Sequence, residues 1–582
     1  MRKEATGSKL LRGAFILSAA ALLSKLIGTL QKIPLQNLGG DAVFGIYNTV
    51  YPIYTLLVTL AMLGLPAAVS KYVAEDEAGG GTPQSRQVLR RASLTTTAAG
   101  LLLAAGTYAG APLLARFIGS GHIVAALRTA AFGLAVVPLL AALRGYFQGL
   151  QNMLPTAVSQ IVEQSARVAV MITLLLLLTQ SGAGAGEIAS GAMLGSAGGG
   201  LAGLAVMLLF WRRHRRGSRK PAAAATEAAV SITAAPTAAA TMDAPETSAS
   251  ITAAASTDAL AETAAAASTA AHSRSGSVRS LLTYGVPVML GGLAAPLISL
   301  VDVFTMPRLL SYAVGESRAM ADFGIYNRGL PIVQLVTMLA TSLTVLFIPA
   351  LAESKFRGDT REIESRCRLS LRWFWLLGLA ASAGLAILAV PINIALYGDA
   401  AGSGTIRWLA FTAAGGTVSL ISAALLQGLG HVRAPAVHFL AAAALKAALN
   451  LLLVPQQGIM GAAIAGVAAQ ALAAGLNLRL LRKAAGLTLS PAEWLGKPAA
   501  LIAGLAAAAA AAGWAGGALL GAAGVHGRIQ ALGESLLGVT AGCLVFAALA
   551  VRLRLLNEGE LMQLPGFGPK LARKIKKWGL FP

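Results

Sequence analysis

Seven ionisable side chains fall inside long apolar runs of this 582-residue sequence: Lys25, Lys32, Glu163, Arg167, Asp302, Arg328 and Lys446. A charge in hydrocarbon is expensive. It persists where it meets a counter-charge, a water path or a ligand. Lys25 and Lys32 are seven residues apart, almost two helical turns, so they share one azimuth. Gly28 lies between them near the same face, with Ser24 beside it. That is a narrow cationic stripe with room for close approach, suited to an anion such as a phosphate bound by point charges. Lys25 is about 20 Å from its helix start, too deep to reach water unless it faces an aqueous cavity. Arg328 adds a third buried cation, and the three form the expected substrate-binding set.

The remaining charges read as cavity or coupling candidates. Glu163 and Arg167 stand at i and i+4, acid first, and can pair along one helix. Asp302 and Lys446 have no local partner. A bridge between their helices would satisfy both, with Asn450 one turn from Lys446 able to join. The competing reading makes Asp302 a proton or cation site, where the Lys446 ammonium would stand in for a metal ion and disfavour sodium.

Long helices must position these groups. The hydrophobic fraction is 56%, charged residues are 12% and the mean hydropathy is +0.69. Apolar runs of spanning length recur throughout, which predicts an all-α polytopic membrane protein with about fourteen transmembrane helices. The chain is also duplicated. Phe44-Gly45-Ile46-Tyr47-Asn48 returns as Phe323-Gly324-Ile325-Tyr326-Asn327, an offset of 279 residues (323 minus 44). At the same offset Pro52 falls on Pro331, Gln148-Gly149-Leu150 on Gln427-Gly428-Leu429, and Arg167 on Lys446. Two copies of a long unit in so apolar a chain point to a transporter with two halves around a central path. Arg328 has only Thr49 at the aligned place, so its task belongs to one half.

The predicted organisation is an N-terminal six-helix lobe at 1–211, a cytoplasmic low-complexity linker at 212–278, a C-terminal six-helix lobe at 279–483, two additional helices at 484–551 and a basic cytoplasmic tail at 552–582. The linker is rich in Ala, Thr and Ser and cannot bury a core. With both termini cytoplasmic, the external loops and their flanks hold only Arg116, Arg128, Arg308, Arg318, Arg407 and Arg528 of the 46 Lys and Arg. This is a positive-inside pattern. The net charge of +22 therefore reports topology and affinity for anionic membrane lipid. It does not call for nucleic acid. The tail from Leu564 to Ile575 resembles a helix-hairpin-helix element, but behind a membrane helix it reads as a basic amphipathic segment on the lipid surface.

No enzyme is indicated. The histidines, His122, His214, His272, His431, His438 and His526, make no metal-ligand spacing, and no metal or cofactor is expected. Phosphate-loop and nucleophile-elbow motifs are missing from the sequence. Coupling to a proton or cation gradient, or to the membrane potential, stays open. Cys367 and Cys543 offer no disulfide framework.

Ser24-Lys25-Leu26-Ile27-Gly28, Lys32-Ile33-Pro34, Gly40-Asp41, Tyr47, Tyr51-Pro52-Ile53-Tyr54 and Gly64-Leu65-Pro66-Ala67-Ala68-Val69-Ser70-Lys71 resemble the polysaccharide flippase branch of the multidrug/oligosaccharidyl-lipid/polysaccharide exporter superfamily. The likeness is closest to the stage V sporulation protein B group and more distant to the lipid II flippases. It covers both six-helix halves and the two additional helices. The resemblance implies a V-shaped pair of lobes, with helices one, two, seven and eight lining the cavity. It implies an undecaprenyl-linked sugar as substrate, moved across the bacterial cytoplasmic membrane for wall or polysaccharide synthesis, with cell-wall synthesis proteins as candidate partners. Lipid II flippases carry arginine where Lys25 stands, another where Gln31 stands and one near Val50, whereas Arg328 matches their eighth-helix arginine. The alternatives are a cation-coupled small-molecule exporter of the same superfamily and a non-transporting membrane scaffold.

Overall fold

A computed structural model describes residues 2–79, 84–217, 277–487, 492–553 and 555. Of the predicted linker, residues 212–217 instead continue α7 and 277–278 open the second bundle, while 218–276 and nearly all of the basic tail lie outside these residues. Among the described residues the chain is helical and contains no strand. The first bundle comprises α1 (Arg2–Leu30), α2 (Lys32–Met62), α3 (Leu65–Ala78), α4 (Gln84–Ile118), α5 (Val124–Gly149), α6 (Leu154–Gln180) and α7 (Ala185–Gly217), with a 3₁₀ turn at Gly121–Ile123. The second comprises α8 (Val278–Val314), α9 (Glu316–Asn327), α10 (Gly329–Phe356), α11 (Thr360–Ile387), α12 (Ala389–Tyr397), α13 (Ser403–Gly428), α14 (Arg433–Gln457) and α15 (Ile459–Ala485). Two further helices follow, α16 (Lys497–Ala522) and α17 (Gly527–Arg552).

Among the described residues, twelve helical stretches are long and apolar enough to cross a membrane. The first, Phe15–Ala78, is 64 residues long and is interrupted at Gly40 and at Leu63-Gly64. At about 1.5 Å per residue it far exceeds one crossing of a hydrocarbon core roughly 30 Å thick. The 28-residue apolar α10 adds to these stretches. The sequence count of fourteen is thus an approximate description of the chain.

Sequence chemistry explains the breaks that matter. Pro331 has no N–H to give the carbonyl of Asn327, so the helical ladder opens at Arg328 between α9 and α10. Pro391 does the same to Ile387, which separates the nine-residue α12 from α11. The second bundle begins with a cap, the Ser277 hydroxyl accepting the Ser280 N–H at 3.2 Å.

The bundles meet mainly through α2 against α9 and α3 against α8. One apolar core runs across the α2–α9 junction, joining Leu35, Phe44, Tyr47 and Val50 to Met306, Met320, Phe323 and Tyr326. The duplicated motif lies in this seam. A Cβ on Gly45 would come within 1.9 Å of the Met320 carbonyl oxygen, and one on Gly324 within 2.0 Å of the Asp41 carbonyl oxygen. Gly324 and Met320 are the offset equivalents of Gly45 and Asp41, so the two approaches are related by the duplication. Only glycine allows backbones so close. The motif asparagines repeat the symmetry, Asn48 Nδ2 donating to Phe44 O at 2.8 Å and Asn327 Nδ2 to Phe323 O at 2.7 Å. The helix pair α16–α17 packs on itself, on α11 and on α12, outside the symmetric pair of bundles.

Candidate functional site

The second-bundle charges meet as their isolation requires. Lys446 Nζ donates to Asp302 Oδ2 at 2.6 Å, and both residues are almost wholly buried. Tyr326 donates its hydroxyl to the same oxygen at 2.8 Å. Asn450 Nδ2 reaches Asp302 Oδ1 at 3.1 Å and Thr305 Oγ1 at 2.8 Å. One carboxylate thus accepts from an ammonium, a phenol and an amide, which is how a buried ion pair avoids leaving lone pairs empty.

The first bundle solves the equivalent problem differently. Arg167, the offset partner of Lys446, takes its carboxylate from Glu163 one turn back, at 2.7 Å. Arg144 on α5 holds the other oxygen of Glu163 at 2.8 Å. Arg167 Nη1 also donates to Tyr51 Oη at 3.2 Å. Sequence reasoning missed Arg144 although it lies inside an apolar run, because a cation near a helix end reads as interfacial.

Arg328 differs most from its sequence expectation. The sequence pattern places it facing a ligand with a free charge. Instead its side chain is 1% exposed and clamped between two carboxylates. Nε and Nη2 form a fork on Asp41 at 2.8 and 2.6 Å, while Nη1 and Nη2 form a second fork on Asp399 at 2.6 and 3.1 Å. Asp41 belongs to the first bundle and Asp399 to the second, so Arg328 bolts the bundles together at the end where α1 gives way to α2. Tyr397 supports the bolt, donating to the Arg328 carbonyl at 2.9 Å while the guanidinium lies over its ring. Bidentate geometry at both partners is what arginine provides and lysine cannot.

A second clasp closes the same end. Glu316, at the start of α9, accepts from Ser120 Oγ at 3.0 Å and from the His122 N–H at 3.2 Å, both on the first bundle. His122 Nε2 lies 3.3 Å from Ser317 Oγ. Beside the clasp is a cavity of about 700 Å³ lined by Ala42, Ile46, His122, Arg128, Glu187 and Ser317. Partial burial raises the Glu316 carboxyl, but the His122 and Ser120 donors outweigh it and hold it below the usual range. Asp399 is held low chiefly by the Arg328 hydrogen bonds. A depressed carboxyl contributes fully above its unperturbed pKa, and the contribution is lost as pH falls through the depressed value. Closure of this end should therefore hold from neutral to mildly acidic pH and loosen only below the ordinary carboxylate range. Nitroxides on exposed Ser181 and Tyr312, in a Cys367→Ala/Cys543→Ala background, would read this as a distance that lengthens only in that acidic window.

Lys25 and Lys32 are the exceptions to all this pairing. Lys25 is exposed and Lys32 half-buried, and neither has an ion-pair or hydrogen-bond partner for its ammonium among the described residues. Lys25 lies on α1 and Lys32 opens α2, with Gln31 between the two helices. Gly28 of α1 packs on Gln164 of α6, and Gln31 accepts from Gln164 Nε2 at 3.3 Å. On its other side α1 touches α10 of the second bundle.

Two bundles carrying a duplicated seam, bolted at one end and holding unmatched cations at their border, define a two-lobe membrane transporter. The comparisons with known proteins agree. Residues 10–239 match the family described as "Polysaccharide biosynthesis protein", and residues 287–529 match "Lipid II flippase MurJ". The sequence is 30% identical over 575 residues to "Uncharacterized membrane protein YabM" of Bacillus subtilis (strain 168), covering 97% of this chain and 96% of that one. It is 26% identical to "Lipid II flippase MurJ" of the same organism, over 79% of this chain and 80% of that one. "Stage V sporulation protein B", also from that organism, matches at 31% over 35% of this chain and 39% of its own. In fold the chain is similar to "Lipid II flippase MurJ, inward closed conformation", with a TM-score of 0.57, 11% identity and coverage of 93% and 100%. A multidrug resistance MATE family transporter of the MOP superfamily, in its inward-facing conformation, gives 0.56 at 14% identity, covering 80% and 94%. The chain belongs to the polysaccharide flippase branch of the multidrug/oligosaccharidyl-lipid/polysaccharide exporter superfamily.

Proposed function

We propose that the protein flips a lipid-linked oligosaccharide or peptidoglycan precursor across the bacterial cytoplasmic membrane by alternating access. The observation that carries this reading is the mismatch between cations. Arg144, Arg167, Lys446 and Arg328 each have a carboxylate, while Lys25 and Lys32 have none. Two unmatched ammonium groups, one near the end of α1 and one at the start of α2, call for an anion from outside the protein, and a polyprenyl diphosphate head group supplies one at membrane depth. On the positive-inside pattern both termini are cytoplasmic, so the bolted end at Asp41 faces outward and the cycle alternates between opening that end and its opposite.

The cation-coupled exporter reading loses its two best sites, since Glu163 and Asp302 are both taken up by cations of the protein. An undecaprenyl-linked sugar remains the preferred substrate, and Lys25 and Lys32 its diphosphate ligands. The test is flipping of a fluorescent polyprenyl-diphosphate sugar in proteoliposomes. Lys25→Ala should lower the rate by about tenfold or more and Lys25→Arg should retain most of it, since lost charge-assisted hydrogen bonds to a diphosphate are the stronger kind. A wild-type rate in the Lys25→Ala/Lys32→Ala double variant would overturn the assignment.

A further inference from the structure

The helix pair α16–α17 has no counterpart in the duplication, yet it reaches the bolted junction. Arg528, in the first turn of α17, donates through Nη2 to Asn37 Oδ1 of the first bundle and to the Leu396 carbonyl of the second at 3.3 Å. Asn37 Nδ2 completes the triangle by donating to the same Leu396 carbonyl at 2.8 Å. The guanidinium lies flat on Gly398, where a Cβ would meet Nη2 at 3.1 Å. Gly398 also has φ +91°, so two independent constraints hold that position to glycine. Next along the chain is Asp399, one of the two carboxylates on Arg328.

The contact continues beneath the surface. Short α12, cut free of α11 by Pro391, packs along α17. Leu388, at the hinge, lies against both added helices, 3.3 Å from a Cβ placed on Gly513 and 2.7 Å from one on Gly538. The same α12 delivers Tyr397 and Asp399 to Arg328. Together Arg328, Arg528, Asp41 and Asp399 make a charge-balanced cluster in which three separate parts of the chain each hold one another in place.

We infer that α16–α17 is a positioning device for the transport cycle: Arg528 clasps Asn37 to Leu396 and, through α12, sets Asp399 against Arg328, so that the added helices bias how often the bolted end opens. This rests on the alternating-access reading above and adds to it a residue, Arg528, outside the cationic stripe and outside both repeats.

The test uses the full-length protein in lipid vesicles, with nitroxides on Ser181 and Tyr312 in the cysteine-free background and distances measured by pulsed electron paramagnetic resonance. Arg528→Ala should raise the open fraction about threefold, the size an exposed charged contact supports. Arg528→Lys should give a smaller rise, because an ammonium can keep one of the two bonds. Asn37→Ala removes the other side of the clasp while leaving α17 whole, and should match Arg528→Ala. The double variant should exceed neither single one, because both remove the same contact. Unchanged distances in Arg528→Ala and Asn37→Ala, alongside a lengthened distance in Arg328→Ala, would overturn this inference and leave alternating access standing. Unchanged distances in all three would instead remove the gate reading on which it rests.

Discussion

Arg328→Ala is expected to unbolt the junction and abolish net flipping while the protein still inserts. The substitution leaves Asp41 and Asp399 facing one another with no cation between them, one from each bundle. Breaking a buried ion pair on one side typically costs about 3–5 kcal/mol. Asp399 is half-exposed and Asp41 partly so, which lets water take up some of the loss. A cost to the closed state of about 3 kcal/mol is therefore reasonable, and this exceeds a hundredfold in population. The nitroxide pair should report a predominantly long distance, and the flipping assay a rate at background. The swap Asp41→Arg/Arg328→Asp rebuilds an attractive pair and should shorten the distance again. An Arg328→Ala distance unchanged from wild type would show that the bolt does not govern closure.

The second large effect lies in the Asp302–Lys446 cluster. Asp302→Asn leaves a buried ammonium without its counter-charge, and Lys446→Gln leaves a buried carboxylate with only Tyr326 and Asn450. Each single change should destabilise the second bundle by about 3–5 kcal/mol. The double change Asp302→Asn/Lys446→Gln removes both charges and should recover more than half of either loss. Thermal unfolding in detergent, read by the loss of the monodisperse peak, is the measurement. Additive losses would mean that the two groups act separately, and would return Asp302 to the role of a proton or cation site. If they act as a pair, transport in the double variant keeps the wild-type response to pH and sodium.

Much of this was legible in the sequence, for reasons that also explain what was not. The offset of 279 residues located both bundles because a repeated unit must fold the same way twice. Asp302 and Lys446 could be matched on paper because each was alone in an apolar helix and nothing else could neutralise it. Arg328 could be found but not understood. Its partners stand 287 residues before it and 71 after it, one beside the Gly40 kink of α2 and one in the bend after α12, where a partly exposed carboxylate attracts no notice. Gly40-Asp41 belonged to the family pattern, yet nothing in spacing linked it to Arg328. Arg528 was read as one more loop cation for the same reason. Depth identifies a charge that needs a partner, whereas a surface residue waiting to provide one leaves no mark.

The glycine contacts at the seam bear on how the chain came to be. Gly45 rests on the Met320 carbonyl and Gly324 on the Asp41 carbonyl, so each copy of the motif binds the other copy by the same rule. A patch that recognises itself is the signature of an isologous interface between two identical subunits. The seam has the form that two separate six-helix chains would have needed to meet as a homodimer. The two copies differ around these contacts: Thr49 stands where the second copy has Arg328, and Glu163 has its counterpart in Ala442. At the two glycines a side chain in either copy would spoil the fit of both, and there the self-matching surface is written twice in a single chain.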